Sequence, residues 1–342
     1  MKRLISLVAV LACMAVGYAQ SSLVATLNHG EDVSVYYGYG ALAEAYEAAT
    51  HGDLITLSSG MFKSVDIAKN ITVRGAGAGA TDDCTRLDGN FNLYGVPDSV
   101  DATGHLTLEG LYNDDYICYG EMSYNLPVKN AHFIKCRLNT IKSYNASSKL
   151  FNAILIQCKI TKELDVNNEG EKVTCFNSYI RRVCTSNNEN SNYAFNNCLI
   201  EGYPYDWSNS LFTNCILWPS YTGNPIVRSC QAFNCLGLYN SETLDLFEFL
   251  YPYNQYESIK DDNVSTIFKT YTGTYSDTET FELTDEAKAK YVGTDGREVG
   301  IYGGNFPFTF KSDLPKISKF NVASQSTEDG KLKVEIEVSG VE

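Results

Sequence analysis

NYAFNNCLIEGYPYDWSNSLFTNCILW, residues 192–218, contains nearly the same phrase twice. Each copy consists of phenylalanine, a polar residue, asparagine, cysteine and two aliphatic residues, first at 195–200 and again at 212–217. The phrase continues with variations in both directions along the chain, and its cysteine position is filled in turn by Cys136, Cys158, Ser178, Cys198, Cys215 and Cys235. A step of 17 to 22 residues suits one coil of a stacked solenoid, so the sequence predicts one coil per copy.

The spacing inside the phrase indicates which kind of solenoid forms. The leucine-rich consensus is absent, which leaves a parallel β-solenoid. Cys198 and Ile200 are two residues apart and share one strand face, whereas Phe195 needs a bend before Cys198 to point inward as well. Asn197 supplies that bend, because asparagine tolerates the left-handed backbone conformation. We also expect the side-chain amide of each such asparagine to bond to the asparagine of the next coil.

The cysteines are predicted to be buried thiols. Eleven cysteines in one chain would ordinarily indicate disulfides formed in an oxidising compartment. Stacked coils lie about 4.8 Å apart, however, so equivalent cysteines align in a column with parallel side chains, and the torsion that a disulfide needs is hard to reach. We therefore expect small apolar core residues, with no metal site, because no Cys-x-x-Cys pair or Cys/His spacing supports one.

Two further stretches carry a resemblance to a known family. ALAEAYEAATHGDLITLSSGMF (41–62), followed by IAKNITVRGAGAG (67–79), is similar to the N-terminal capping region of right-handed parallel β-helix proteins. GTDGREVGIYGG (293–304) resembles the closing phrase of secreted bacterial members of this pectin-lyase-like superfamily. The resemblance covers about 41–304 and implies an all-β, single-stranded right-handed parallel β-helix. We predict this domain over residues 20–304, with a capping helix at about 41–50. The resemblance implies no particular activity, because this superfamily includes lyases, hydrolases, epimerases and adhesins.

The two ends of the chain differ from the repeats. A short basic start, an apolar run and small residues predict a signal peptide over 1–19 with cleavage after Ala19, and lipidation at Cys13 is the alternative. The mature chain is then expected to be secreted, periplasmic or on the cell surface, with no membrane span. Residues 305–342 contain two alternating stretches and predict a C-terminal β-hairpin tail, which packs on the solenoid or serves as a sorting or attachment segment.

The amino-acid composition of the chain restricts the classes of molecule that it can bind. The chain carries 27 Lys and Arg against 41 Asp and Glu, a formal net charge of −14 at pH 7. Such an acidic chain argues against nucleic acid, whose phosphates require basic residues. The 24 tyrosines favour polar stacking contacts, which suit a polysaccharide or a cell-surface glycan as the partner.

Two groups of residues are candidates for the functional site. Arg181 and Arg182 follow one strand, and Arg137 and Lys159 take outward positions on neighbouring coils, so the four predict a basic patch suited to a sugar carboxylate or sulfate. The alternative for this group is an ordinary solvated strand face. The second group contains both tryptophans of the chain, and its rings would stack on sugars while two acids accept hydroxyl hydrogen bonds; it consists of Tyr203, Tyr205, Trp207, Trp218, Tyr221, Glu201 and Asp206.

Three functions remain open at this level. The first is a non-catalytic surface solenoid that binds polysaccharide or acts as an adhesin, and it is favoured because no set of catalytic acids typical of this fold is found. The second is a polysaccharide lyase acting on uronic-acid polymers, with Arg181 or Arg182 as the proton abstractor and a Ca²⁺ site that no motif locates. The third is a purely structural surface protein. Apart from Ca²⁺ in a lyase, no cofactor is predicted.

Overall fold

Parallel strands stacked into coils form the protein, which a computed structural model shows as a β-solenoid of about 7 turns. The predicted parallel solenoid is thereby confirmed. The signal peptide predicted over 1–19, including Cys13, lies outside the described residues. The structure describes residues 23–79, 83–120, 126–145, 147–166, 171–184, 192–201, 207–218, 227–228, 230–238, 255–256, 259–261, 264–270, 276, 279–311, 316–326 and 331–339.

The described strands form two long sheets that run along the solenoid. In the first sheet two antiparallel strands precede the parallel ones, and its order is Asp32–Tyr37, Val24–His29, Leu54–Leu57, Thr72–Arg74, Thr107–Glu109, His132–Ile134, Ile154–Ile156, Val173–Phe176, Tyr193–Asn196, Leu211–Thr213, Gln231–Phe233 and Gln255–Tyr256. The second sheet is parallel, with Phe91–Leu93 and Val183–Cys184 beside its main path of Gly60–Lys63, Thr85–Asp88, Leu111–Tyr119, Arg137–Ser143, Lys159–Asp165, Tyr179–Ile180, Leu199–Glu201, Ile216–Trp218, Leu236–Leu238 and Ile259–Asp261.

Shorter elements accompany the two sheets. Two-stranded parallel pairs join Val128–Lys129 to Leu150–Phe151 and Trp207–Ser208 to Val227–Arg228. Near the C-terminus an antiparallel pair joins Lys316–Ser326 to Leu332–Ser339. Among the residues that the structure describes, the helices are Ala41–Ala48, Val264–Ile267 and Asp285–Lys290.

The helix Ala41–Ala48 packs on the first coil with Ala41, Leu42 and Ala45 buried. Ala45 lies four positions after Ala41 and three after Leu42, so it shares one face of the helix with both. Ala49, at the C-cap, is buried as well. The role of this helix as a cap that shields the end of the core stays a prediction.

The corner between the two sheets is built as the repeated phrase predicts. Phe195 and Cys198 are both fully buried, and the intervening Asn197 has a φ of 52°. The equivalent residues of the other coils share this left-handed conformation, with φ between 45° and 56°, and they are Lys135, Gln157, Asn177, Asn214 and Asn234. Each corner residue reverses the side on which the next side chain points, so the phenylalanine and the cysteine both enter the core.

The cysteine column is present, and its cysteines are buried. No disulfide joins the cysteines within the described part of the chain. Each column thiol donates to the carbonyl oxygen two residues earlier, as Cys198 Sγ does to Asn196 O at 3.3 Å. Ser178, which fills the gap in the column, makes the same bond to Phe176 O at 2.8 Å. The accepting carbonyl is also paired with the preceding coil, as Asn196 O is with Asn177 N at 3.0 Å and Phe176 O is with Gln157 N at 2.9 Å, so the small donor adds a second bond at the corner.

Residues 279–311, here called the C-terminal strap, run along this corner on the outside of the coils. Val292 O accepts from Asn234 Nδ2, Gly300 N donates to Asn214 O, and Asn177 Nδ2 donates to Ile301 O and Gly303 O. Farther along, Gln157 Nε2 donates to the carbonyls of Phe306 and Pro307, and Lys311 pairs with Gly77. The strap thus passes from the later coils back to the earliest ones.

These contacts correct one expectation. The corner amides were predicted to bond to one another from coil to coil. Instead, Asn177, Asn214 and Asn234 use their side-chain amides to hold the strap. A side chain on a left-handed corner points away from the coil, where the strap offers backbone carbonyls to Asn177 and Asn234 and the hydroxyl of Thr294 to Asn214. The motif at 293–304, which resembled a family signature, lies within this contact.

The strap also creates a second apolar core. Outward-facing side chains of the second sheet, among them Tyr179, Leu199 and Ile216, are buried beneath it. The strap contributes Phe281, Leu283, Ala287, Tyr291, Val299 and Ile301, while Ile267 and Phe268 come from the preceding helix region. One face of the second sheet therefore packs inside the solenoid, and part of the other face packs under the strap.

Candidate functional site

A row of outward side chains on the second sheet changes character along the solenoid. Strand pairing places one residue per coil in this row, in the order Arg86, Tyr112, Arg137, Lys159, Tyr179, Leu199, Ile216 and Leu236. Toward the C-terminal coils the row is aliphatic, and the strap packs on it directly. Toward the N-terminal coils it becomes aromatic and cationic. The change from aliphatic to cationic residues coincides with an opening under the strap.

That opening is a cavity of about 460 Å³ between the second sheet and the strap. Arg137 and Lys159 come from two neighbouring strands of the sheet, and the remaining described lining belongs to the strap: Glu279, Thr280, Phe281, Ile301, Tyr302, Phe308, Thr309 and Phe310. Pockets that hold small ligands have volumes of roughly 300–1,000 Å³ and combine apolar walls with a few polar groups. We take this cavity as the candidate site.

The two cations of the cavity are held by neighbouring rings. Arg137 and Lys159 each expose only 5% of their surface. The guanidinium of Arg137 lies 4.5 Å from the ring centre of Tyr112, and the ammonium of Lys159 lies 5.7 Å from that of Tyr179. Lys159 Nζ also lies 3.5 Å from the backbone oxygen of Glu279. Cation–π contacts of this kind orient a cation without neutralising its charge.

The carboxylate of the cavity, Glu279, is held in place by hydrogen bonds from neighbouring residues. Glu279 Oε1 accepts hydrogen bonds from Thr270 Oγ1 at 2.6 Å and from the backbone N of Phe281 at 3.0 Å. Phe281 is itself in the left-handed conformation, with a φ of 55°. The charged side chains among the described lining residues are therefore two cations and one carboxylate.

Aromatic side chains supply the outer wall. Phe308 meets Tyr302 edge to face at 6.2 Å and Phe310 edge to face at 4.8 Å. Burial raises the pKa of Tyr302 to about 12, so its phenol stays neutral, and it donates to Thr280 O at 2.9 Å. Sequence reasoning missed this wall, although the alternation of phenylalanines at 306, 308 and 310 was a visible signal.

The predicted basic patch is divided in the structure. Arg181 and Arg182 are exposed, and Arg182 pairs with Glu163 at 2.7 Å. Arg137 and Lys159 do face outward, but the strap buries them, so they form no common exposed surface with the two arginines. This corrects the expectation of a single patch. Sequence parity identified the correct face of the sheet but not the segment that covers it.

The predicted aromatic group is described only in part. Trp218 is buried, and its ring lies 5.8 Å from that of Phe268, so it packs under the neighbouring segment instead of presenting a face to solvent. Glu201 is also buried. The backbone of Trp207 lies in a short strand. Four members lie outside the described residues: Tyr203, Tyr205, Asp206 and Tyr221.

Glu201 forms a small cluster with Tyr179 and Arg181. Tyr179 donates its phenol hydrogen to Glu201 Oε2. Burial raises the pKa of Glu201 above 4.5, although the bond from Tyr179 and the charges of Arg181 and Lys159 act in the opposite direction. The folded state therefore binds this proton more tightly than the unfolded chain does. The resulting stability is fully present below pH 4.5 and is lost as the pH rises through the folded pKa.

Glu201→Gln is expected to gain stability relative to the wild type as the pH rises from about 4 to about 7, because the amide keeps an acceptor for Tyr179 and never ionises. Urea unfolding at both pH values measures this difference. Glu163→Gln is the matched control with the opposite sign: hydrogen bonds from Cys184 and Arg182 outweigh burial and lower the pKa of Glu163. Equal pH dependence of Glu201→Gln and wild type would contradict the assignment.

Two other features bear on the expected cofactors and partners. Within the described part of the chain, no group of three or more His, Cys, Asp or Glu side chains is arranged to hold a metal ion. Among the helices of the described residues, none is long and apolar enough to cross a membrane.

Comparisons of the chain with protein families, with curated proteins and with solved structures find no match. The coordinates alone therefore establish the parallel β-solenoid. The resemblance to the pectin-lyase-like superfamily stays a prediction.

Proposed function

We propose that the protein is a secreted or cell-surface solenoid that binds a polysaccharide or cell-surface glycan without chemically changing it. The observation that carries this proposal is the cavity of about 460 Å³ under the strap. Its volume suits a small ligand or a short part of a polymer chain. Its open side is lined by the partly exposed rings of Tyr302, Phe308 and Phe310, which leaves room for a longer glycan to continue along the surface.

The chemistry of the lining supports a sugar as the ligand. Aromatic faces stack on the apolar C–H surface of sugar rings. Charged and polar side chains beside them, here Arg137, Lys159 and Thr309, offer hydrogen bonds to hydroxyl groups. The predicted aromatic group around residues 203–221 stays a second proposed contact for the same glycan.

Phe308→Ala is expected to weaken glycan binding by about 1 kcal/mol, roughly fivefold, because one stacking face is removed. Phe310→Ala removes the neighbouring face and should have a similar effect. Glycan arrays identify a bound oligosaccharide, and titration calorimetry then measures its affinity for each variant. Phe306→Ala is the matched control, since Phe306 lies on the same segment, is 67% exposed and does not line the cavity. Equal affinities of all three variants and wild type would exclude this cavity as the site.

A polysaccharide lyase acting on uronic-acid polymers is the second candidate. The observation that favours it is the cluster of Tyr179, Arg181 and Glu201, in which burial raises the pKa of a carboxyl beside a tyrosine and an arginine. Incubation with uronic-acid polymers and Ca²⁺, followed by the absorbance of unsaturated products, tests this activity. Product formation that disappears in Arg181→Ala would replace the binding proposal. If neither glycan binding nor product formation is detected, a purely structural role would remain.

A further inference from the structure

We propose that the protein forms a two-fold symmetric dimer, in which the strand Asp32–Tyr37 of one copy pairs antiparallel with the same strand of a second copy. This strand, here called the edge strand, comes first in the order of the first sheet and pairs on one side with Val24–His29. Among the residues that the structure describes, no strand pairs with its other side. The inference concerns the assembly of the chain and does not depend on the proposed function.

The outer face of the edge strand is apolar and exposed. Val33, Val35 and Tyr37 lie on this face, with 59%, 46% and 48% of their surfaces exposed, whereas Tyr36 on the other face packs against the core. Tyr39, two residues beyond the strand, is 47% exposed. Ten large hydrophobic residues are exposed in the described part of the chain, and four of them lie in this short stretch. Such a concentration of apolar surface is typical of a site that contacts another protein.

The edge strand lacks the usual protection against pairing with a further strand. Natural sheets protect their edges with lysine or proline, with a β-bulge, or by keeping the edge strand very short. The edge strand has six residues, DVSVYY, and contains neither lysine nor proline. Its register is regular from Tyr37, opposite Val24, to Asp32, opposite His29, so it contains no bulge. The strand is therefore suited to extend the sheet with one more strand.

Backbone hydrogen bonds determine which residues of the edge strand face outward. Gly38 N donates to Leu23 O at 2.9 Å, so these two residues form a bonded pair with the neighbouring strand. Bonded pairs alternate along an antiparallel ladder, and the residues two and four positions before Gly38 therefore bond in the same direction. The backbone N–H and C=O groups of Val33, Val35 and Tyr37 consequently point away from the sheet.

One register bonds a second copy to all three of these residues. A two-fold axis at Val35 places Val35 opposite Val35 of the second copy, and Val33 opposite Tyr37 of the second copy. The opposing side chains are apolar and lie on the same outer face, so they pack across the junction. A register shifted by two residues in either direction leaves one of the three opposite a residue outside the strand. The symmetric register therefore uses the whole strand.

The charges at the end of the strand favour a second copy in this orientation. The acids of the turn, Glu31 and Asp32, come to lie opposite Tyr39 and its neighbour in the second copy, so acids do not face acids. Parallel pairing would instead place like carboxylates directly opposite one another, which destabilises a sheet. The edge strand is thus complementary to itself in backbone bonds, apolar contacts and charge, and the proposed partner is a second copy of this chain.

Sedimentation equilibrium of the purified protein tests the dimer. Pairing of six-residue strands gives a small interface, so we expect a reversible dimer that is mostly formed at about 100 µM and mostly dissociated at about 1 µM. Val35→Lys places two like charges opposite each other at the axis and should weaken the dimer at least about tenfold. Thr174→Lys is the matched control, because Thr174 is half-buried on the outer face of the same sheet, on a distant coil. A protein that is monomeric at about 100 µM would overturn the proposal.

Introduced cysteines test the register. Residues that face each other in a bonded antiparallel pair have Cα atoms about 5.5 Å apart, which a disulfide can span. Mild oxidation should therefore join two copies of Val35→Cys. Tyr37→Cys is the control and should not crosslink to itself, because the two copies of residue 37 lie four residues, about 13 Å, apart. A mixture of Val33→Cys and Tyr37→Cys chains should crosslink again.

The wild type, oxidised in the same way, gives the background from its native thiols, of which Cys118 and Cys184 are partly exposed. Thermal unfolding verifies that each variant is folded. Crosslinking of Tyr37→Cys as efficient as that of Val35→Cys would overturn the proposed register. Association that Val35→Lys leaves unchanged would overturn the edge strand as the interface.

Discussion

Replacing Gly303 with alanine is expected to lower the free energy of unfolding by about 3 kcal/mol. A Cβ at this position would overlap the carbonyl oxygen of Glu298 and lie 2.6 Å from Nδ2 of Asn197. The backbone of Gly303 cannot withdraw easily from these atoms, because Gly303 N donates to Gly300 O and Gly303 O accepts from Asn177 Nδ2 at 2.7 Å. Relief of the overlap with Glu298 requires a change in the backbone of the strap itself, and relief of the contact with Asn197 requires the strap to move away from the corner. Urea unfolding followed by circular dichroism measures the loss.

The control for this prediction is Gly40→Ala. The nearest atom to an added Cβ there is Glu44 Oε1 at 3.8 Å, so the change introduces no overlap. Gly40 is the N-cap of the helix Ala41–Ala48, where alanine is a poorer cap, and the expected loss stays below about 1 kcal/mol. If Gly303→Ala were no less stable than Gly40→Ala, the close packing of Gly303 against Glu298 and Asn197 would not be a source of stability.

Asn177→Gly is expected to cost about 2–3 kcal/mol, because it removes two buried hydrogen bonds to strap carbonyls. Asn177 Nδ2 donates to Ile301 O at 3.0 Å and to Gly303 O at 2.7 Å. Glycine keeps the left-handed backbone at this position, where φ is 45°, so the variant removes the amide without straining the corner. Both carbonyls would then be buried without these donors. Unfolding in urea gives the free-energy change.

Comparison with Asn152→Gly separates the contribution of the side-chain hydrogen bonds of Asn177 from the effect of glycine on the backbone. Asn152 has a similar φ of 52° but an exposed side chain at another corner of the coil. Both variants lose the same side chain and gain the same backbone freedom, worth roughly 0.5–1 kcal/mol. The stability that Asn177→Gly is expected to lose in addition to the loss in Asn152→Gly is the contribution of the hydrogen bonds to the strap. Similar losses at the two positions would show that those bonds contribute nothing measurable.

Much of the coil could be predicted from sequence because its determinants are local and repeated. The three-residue step from Phe195 to Cys198 requires a reversal of side, and Asn197 supplies it. Repetition then places equivalent cysteines in one column, where parallel side chains do not form disulfides with one another. These conclusions needed only the period of the pattern and the conformational preference of asparagine.

The candidate site was harder to predict because it depends on a segment far away in sequence. Strand parity placed Arg137 and Lys159 on the outer face, and the structure has them there, yet it could not indicate that residues 279–311 return to cover that face. The burial of Trp218 has the same origin. The strap itself contains no repeat, and three of its glycines, Gly293, Gly300 and Gly304, lie against side chains of the coils, namely Asn214, Ile216 and Asn197.

The strap also changes how the coils depend on one another. In an unbraced solenoid each coil contacts only its neighbours, so an end can fray without affecting the middle. Here a single continuous segment bonds to Asn234, Asn177, Gln157 and Gly77, which belong to coils far apart along the axis. Opening any one of these coils removes a support that the others share. The strap therefore converts a linear array into one cooperative folding unit, at the cost of the slow closure of very long loops.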